Sequence, residues 1–333
     1  MKRKRNHFIL ITILLISISH YGCEKEIVPF TGESQTPYGK ITQIDEYPLY
    51  KIEYTSDYEF EQFLETGNIP FYSSISSKEM NYSCTCFTAF GGEQRLFGRN
   101  YDWSNRASYF IVFANPPNAY SSISTVDLYF FNYDHNQPPN SEVNLNTVRT
   151  LPYYPFDGIN EKGVAVGMNA LDQAEAPYDP SKITIGELQL IRLVLDYAAS
   201  TEEAISLIQQ YNIRMENPPI HYLIADASGH SAVIEYINGE ISILENTNPW
   251  QVTTNFIITG LDSPDDAPCW RYKNAYEMLE NNNGVLSELD AFTLLQNVSV
   301  SATRWSTVFN LISGELQITV GGHFENAYHF SIY

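Results

Sequence analysis

Cys84-Thr85-Cys86-Phe87-Thr88-Ala89-Phe90, a Gly91-Gly92 pair, and then Gln94-Arg95-Leu96-Phe97-Gly98-Arg99-Asn100-Tyr101-Asp102-Trp103 form the stretch on which the reading turns. Two β-rich runs separated by a glycine turn predict a hairpin. Antiparallel pairing brings the cysteine that opens the first strand beside Arg99 and Asp102, which close the second. A cysteine at a chain start can use its own α-amine, with a pKa of about 7.7–8, as the base for its thiol. A neighbouring arginine favours the thiolate, and an aspartate can orient the ammonium. Taken alone, the block reads equally well as a buried cysteine near a hairpin ion pair. Cys86 offers a second thiol, although the spacing to Arg99 and Asp102 suits Cys84 better.

Downstream, strand patterns recur at 109–113, 122–131 and 163–168. Helical patterns follow at 183–195 and 201–211, where Thr201-Glu202-Glu203-Ala204 predicts a capped start. Strands return at 221–226, 231–236, 241–245 and 251–258. Helices at 272–280 and 287–297 precede closing strands at 307–311 and 315–320. Upstream, 47–54 alternates like a strand, 57–64 suits a short helix, and 68–83 reads as a loop. Runs of strands, then helices, then strands predict a layered α+β domain and not a doubly wound parallel sheet.

The chain has 333 residues, with 39 acidic against 19 basic side chains and a net charge of −20. Such a field repels phosphate backbones, so nucleic acid is not an expected partner. Lys2 to Arg5 followed by an apolar run from Phe8 to Ser19 is too short to span a bilayer as a stable helix and predicts a signal peptide. The run ends at Ser19-His20-Tyr21-Gly22-Cys23, then Glu24-Lys25-Glu26, which resembles a bacterial lipoprotein processing site with His20 in place of the usual aliphatic residue. Lipidation of Cys23 and a membrane-anchored, exported protein (periplasmic or cell surface) are therefore expected; the alternative is an ordinary signal peptide. Residues 1–22 are then the signal and 23–45 a Pro/Gly/Ser/Thr-rich tether. That leaves Cys84, Cys86 and Cys269 in an oxidising compartment, an odd number, so at least one thiol stays free or pairs with another chain. No HExxH, GxSxG, P-loop or dinucleotide fingerprint occurs, and neither metal nor cofactor is expected. His221 and His230 read as structural.

The block CTCF…GRNYDW resembles the opening of the choloylglycine hydrolase and penicillin V acylase family, with the related acyl-CoA:isopenicillin N acyltransferases and linear amide C–N hydrolases. The likeness continues in order through FDGINEKGVAVGMN (156–169), HYLIADASGHSAVIEY (221–236), WQVTTNF (250–256), CWRY (269–272) and TRWSTVFNLISGEL (303–316). It covers the chain from Cys84 to its end.

The resemblance implies a four-layer αββα sandwich of the N-terminal-nucleophile hydrolase type over 84–333; the free amine that such a nucleophile needs implies self-cleavage at Ser83–Cys84, with 46–83 as a propeptide that the strand-like residues 47–54 could keep docked. It implies Cys84 as nucleophile, Arg99 and Asp102 beside its thiol and amine, Asn169 and Asn255 as amide donors, and Arg271 closing the polar cluster. The expected reaction is hydrolysis of a small linear N-acyl amide. Acyl transfer from the same cysteine, or a non-catalytic ligand-binding lipoprotein, are the other readings, and self-association is left open. The 24 Tyr and 18 Phe would suit an apolar acyl pocket, though ordinary core packing explains them as well.

Overall fold

The computed structural model describes residues 32–68, 82–215 and 218–333. The expected signal peptide, Cys23 and the tether up to residue 31 lie outside the described residues, as do 69–81 of the expected loop.

In chain order, β1 (Glu33–Thr36), β2 (Gly39–Asp45) and β3 (Leu49–Tyr54) lead to helix α1 (Phe60–Thr66). The hairpin β4 (Thr85–Ala89) and β5 (Leu96–Asp102) is followed by β6 (Tyr109–Ala114), β7 (Ser122–Asp127), α2 (Glu142–Thr150), β8 (Asp157–Asn160) and β9 (Ala165–Ala170). Next come β10 (Thr184–Gly186), α3 (Glu187–Tyr197), α4 (Thr201–Ile208) and β11 (Asn212–Arg214). They precede β12 (Ile220–Ala225), β13 (Ser231–Ile237), β14 (Glu240–Glu245) and β15 (Trp250–Thr253). The chain closes with α5 (Trp270–Asn281), α6 (Glu288–Asn297), β16 (Thr303–Asn310), β17 (Glu315–Val320) and β18 (Tyr328–Ser331).

Two sheets result. The larger has ten strands in the order β1-β2-β3-β6-β7-β8-β9-β12-β13-β14, and the smaller six in the order β15-β4-β5-β16-β17-β18. They meet where β4 approaches β9 and β12, while α3 and α4 cover the larger sheet and α5 and α6 the smaller. The expected four-layer sandwich is thus the observed fold. Strands β4, β5, β8 and β9 are buried along their whole length, because sheet lies on one side of them and helix on the other. Gly167 on β9 marks the closest approach: a Cβ there would sit 3.2 Å from the Cys86 sulfur and 3.1 Å from the Phe97 ring. α6 is held by a capping box in which Ser287 and Asp290 satisfy each other's backbone N–H.

Several boundaries differ from expectation. Residues 33–45 are not a tether, since β1 and β2 are the outer strands of the large sheet. Their Ser, Thr and Gly content suits an edge, and Gly39 is required there because a Cβ would lie 2.1 Å from the Glu53 carbonyl oxygen. β3 runs parallel to β6 from Leu49↔Tyr109 to Tyr54↔Ala114, so the segment expected as propeptide is built into the sheet. Phe60 and Phe63 of α1 are buried against Tyr153, with ring centroids 5.5 and 5.7 Å away. Burying each is worth about 1.5–3 kcal/mol. The helix at 183–195 starts only at Glu187, because Thr184–Gly186 pair in parallel with β11. The cap of α4 is Ser200, one residue earlier than expected, and its hydroxyl accepts the Glu203 N–H at 3.1 Å. β15 stops at Thr253 and leaves 254–259 as a loop with its own partners.

Candidate active site

The hairpin register sets Thr85 opposite Asn100 and Cys86 opposite Arg99. Side chains alternate across a strand, so Cys86 and Arg99 face the large sheet while Thr85 and Asn100 face α5 and α6. Cys84, two residues before Cys86, shares the inner face and lines a small cavity of about 30 Å³ with Tyr101, Trp103, Phe130, Phe156 and Met168. Cys86 is deeper, and the cavity does not reach it. Cys84, Cys86 and Cys269 are all free thiols.

Arg99 is fully buried. It donates to Phe156 O at 2.9 Å and Met168 O at 3.0 Å, and forms an ion pair with Asp157. Asp157 is fixed in turn by Thr125 Oγ1 at 2.6 Å and the Trp305 indole N–H at 3.0 Å. Burial alone would lower the Arg99 pKa, but the Asp157 charge and the nearby thiols overrule it and hold the guanidinium firmly charged. Burial pushes the Cys84 thiol above its ordinary value, and the Arg99 charge only partly offsets this.

Asp102 ends β5, and its Oδ1 accepts from Thr303 Oγ1 at 2.6 Å. Its Oδ2 is buried and without a hydrogen-bond partner. Burial pushes its pKa up to about 7, against the pull of the Thr303 hydrogen bond and the Arg271 and Arg99 charges. A buried carboxylate oxygen left without a partner calls for an explanation.

Arg271 lies in the first turn of α5, where the helix dipole disfavours a cation. Backbone oxygens compensate. Its Nη1 donates to Ser83 O at 2.7 Å, Cys84 O at 2.5 Å and Thr85 Oγ1 at 3.0 Å, and its Nη2 donates to Asn255 Oδ1 at 3.1 Å. Asn255 donates one amide hydrogen to Ala170 O at 2.8 Å. Five of the six residues named from resemblance thus form one cluster around Cys84. Asn169 is differently engaged: its Nδ2 donates to Thr253 O at 3.3 Å and its Oδ1 accepts from Thr253 Oγ1 at 3.2 Å. Both ends of that amide are tied to β15. Asp157 and Thr303 were not singled out in the sequence, although each lies inside a quoted segment, FDGIN and TRWST. Among the described residues, no three His, Cys, Asp or Glu side chains gather as a metal ion would need.

The fold places the chain in a class. A mutant of conjugated bile acid hydrolase from Clostridium perfringens superposes with a TM-score of 0.55 at 18% identity, covering 74% of this chain and 92% of that one. Penicillin V acylase from Agrobacterium tumefaciens gives 0.53 at 21% identity, covering 74% and 86%. Both establish the N-terminal-nucleophile hydrolase fold. Residues 84–257 match the linear amide C-N hydrolases, choloylglycine hydrolase family, and the chain belongs to that family. Penicillin V acylase of Pectobacterium atrosepticum is 34% identical over 113 residues, which are 30% of this chain and 29% of that protein. The chain therefore spans under a third of that curated relative's length.

Proposed function

We propose that this chain cuts its own Ser83–Cys84 bond and then, through Cys84, hydrolyses the amide bond of a small N-acyl substrate. The observation that carries the proposal is the grip of Arg271 on the Ser83 carbonyl at 2.7 Å. A fixed cation on that oxygen polarises the one bond whose scission frees the Cys84 amine. Cys84 Sγ adds to the Ser83 carbonyl carbon, and Arg271 holds the oxyanion. The C–N bond breaks, the nitrogen takes a proton, and Ser83 is left as a thioester on Cys84. Water hydrolyses the thioester to a Ser83 carboxylate, a free thiol and a free α-amine. Asp102 Oδ2, buried and unpartnered, is the acceptor suited to that amine once it is protonated.

The same chemistry then serves the substrate. The amine takes the thiol proton, and Sγ attacks the substrate carbonyl. The departing amine leaves with that proton, and water releases the acid from the acyl-cysteine. Asn255, with a second amide hydrogen, and Arg271 are the donors suited to the oxyanion, and losing one such donor typically costs about 10²–10³ in rate. The aromatic and aliphatic lining beside Cys84 suits an apolar acyl group. In the same reading the protein is exported and held at a membrane by lipid on Cys23.

N-terminal sequencing of active protein should read Cys-Thr-Cys-Phe, and Cys84→Ala should remain a single uncut chain. Active enzyme with an intact Ser83–Cys84 bond would overturn the mechanism. Free acid accumulating without an added acceptor would separate hydrolysis from acyl transfer.

A further inference from the structure

Three adjacent strands of the large sheet present a row of polar side chains toward the small sheet. The register pairs Asn169 on β9 with His221 on β12, and Tyr222 with Ile234, which sets His221 opposite Glu235 on β13. All three are fully buried. Each captures backbone from the segment that leaves β15. Asn169 donates to Thr253 O at 3.3 Å. His221 Nε2 donates to Thr254 O at 2.6 Å, since a carbonyl can only accept. Glu235 accepts the Ile258 N–H on Oε1 and the Thr259 N–H on Oε2, both at 2.8 Å. His221 Nδ1 lies 3.1 Å from Glu235 Oε1 and ties the two side chains together. Burial opposes the Glu235 charge, but the hydrogen bonds from His221 and Ile258 outweigh it and keep the carboxyl below its ordinary pKa.

Between these anchors sits Asn255. It is only half-buried, and it carries the contacts to Ala170 O and Arg271. Loops are ordinarily the softest part of a site, yet here both flanks of the asparagine are fixed to a sheet interior. We infer that His221 and Glu235 are positioning residues: they clamp the 254–259 loop so that Asn255 and Arg271 meet the reacting carbonyl. Their side-chain hydrogen bonds go to each other and to the loop backbone, so it is through the loop that they bear on the site. A donor displaced by about 1 Å can cost roughly 10²-fold in rate, so a modest slackening of the loop is enough to be seen.

This rests on the amidase reading, and the test separates the two. Glu235→Gln keeps the size of the side chain but turns an N–H toward one of the two backbone donors. It should lower kcat by about ten- to a hundredfold with KM little changed, and slow scission at Ser83–Cys84 in parallel. His221→Gln, whose amide can still donate to Thr254 O, should keep most of the rate, whereas His221→Leu should lose as much as Glu235→Gln. Equal losses for Gln and Leu at 221, or a lowered melting midpoint in Glu235→Gln with kcat unchanged, would overturn the inference. Amide exchange over 254–259 reads the clamp with no turnover at all: acceleration in Glu235→Gln supports it, and unchanged exchange refutes it. A wild-type chain that neither cuts itself nor acts on any amide would sink the amidase reading and leave the exchange result to decide the clamp.

Discussion

Uncut and cut protein should differ in how their stability depends on pH, and Asp102 sets the size of the difference. In the uncut chain its pKa is pushed from the ordinary 3.8 to about 7 by burial. Between these values the unfolded chain has lost the proton while the folded chain keeps it, so the folded state binds more protons. Stability from this group is full below pH 3.8 and is lost as pH rises through 7. At about 1.4 kcal/mol per pH unit, the loss over that window is about 4 kcal/mol. Scission would place an ammonium beside the carboxylate. A unit charge about 4 Å away contributes on the order of 4 kcal/mol at an effective dielectric of 20, enough to return Asp102 to the usual carboxylate range. Melting midpoints should therefore fall further between about pH 4.5 and about pH 7.5, which span most of the window, in uncut Cys84→Ala than in cut wild type. The excess should be about 10 °C at roughly 2–4 °C per kcal/mol. Asp127, held near 7 by burial, and Asp196, held near 6, contribute equally to both forms and cancel. Cys84→Ala with Asp102→Asn should lose the excess while keeping the Thr303 hydrogen bond. Parallel pH profiles for cut and uncut protein would refute the pairing of Asp102 with the amine.

Cys84→Ala should abolish turnover and Cys86→Ala should leave most of it, because only Cys84 reaches the cavity; the reverse pattern in an amidase assay would show the wrong thiol was chosen. Arg271→Ala should slow scission about 10²–10³-fold, read as the half-life of the uncut band on a gel. A midpoint that collapses together with activity would mark Arg271 as structural. Metabolic labelling with a fatty-acid analogue should mark wild type and not Cys23→Ala, and label persisting in the variant would remove the lipid anchor.

The β4–β5 hairpin was readable because its signals are local: a glycine turn between two β-rich runs fixes which residues face each other. The helices α5 and α6 were readable for the same reason. The strands β1 and β2 were not, since strands at the rim of a sheet need little hydrophobic content and a stretch rich in Thr, Gly, Ser and Pro looks like a linker. β8 and α2 escaped because DGIN is short and α2, EVNLNTVRT, is made largely of Asn, Thr and Val, which are poor helix formers. At the site, Cys84, Arg99, Asp102, Asn255 and Arg271 came from motif position. What Asn169 does there did not, because its partner Thr253 lies on the other sheet, 84 residues away. Asp157 was hidden likewise, since its role exists only where β8 passes over Arg99.

The parallel seam between β3 and β6 has a last consequence if Ser83–Cys84 is cut and Cys23 carries lipid. The anchor and the thiol would then belong to separate polypeptides, held together without a covalent bond: by the β3–β6 ladder along Leu49–Tyr54, by the aromatic packing of α1, and by side-chain bonds such as Tyr58 Oη to Asp196 at 2.7 Å and Tyr54 Oη to Arg149 O at 3.2 Å. Before scission the seam closes as an intramolecular event; afterwards it obeys mass action, and dilution or denaturant can part what translation had joined. Denatured cut enzyme should then regain activity in a concentration-dependent way, while the uncut chain refolds independently of concentration. The protein's residence at the membrane would then be a property of one non-covalent seam, and weakening that seam would let the piece that carries the thiol leave the anchor.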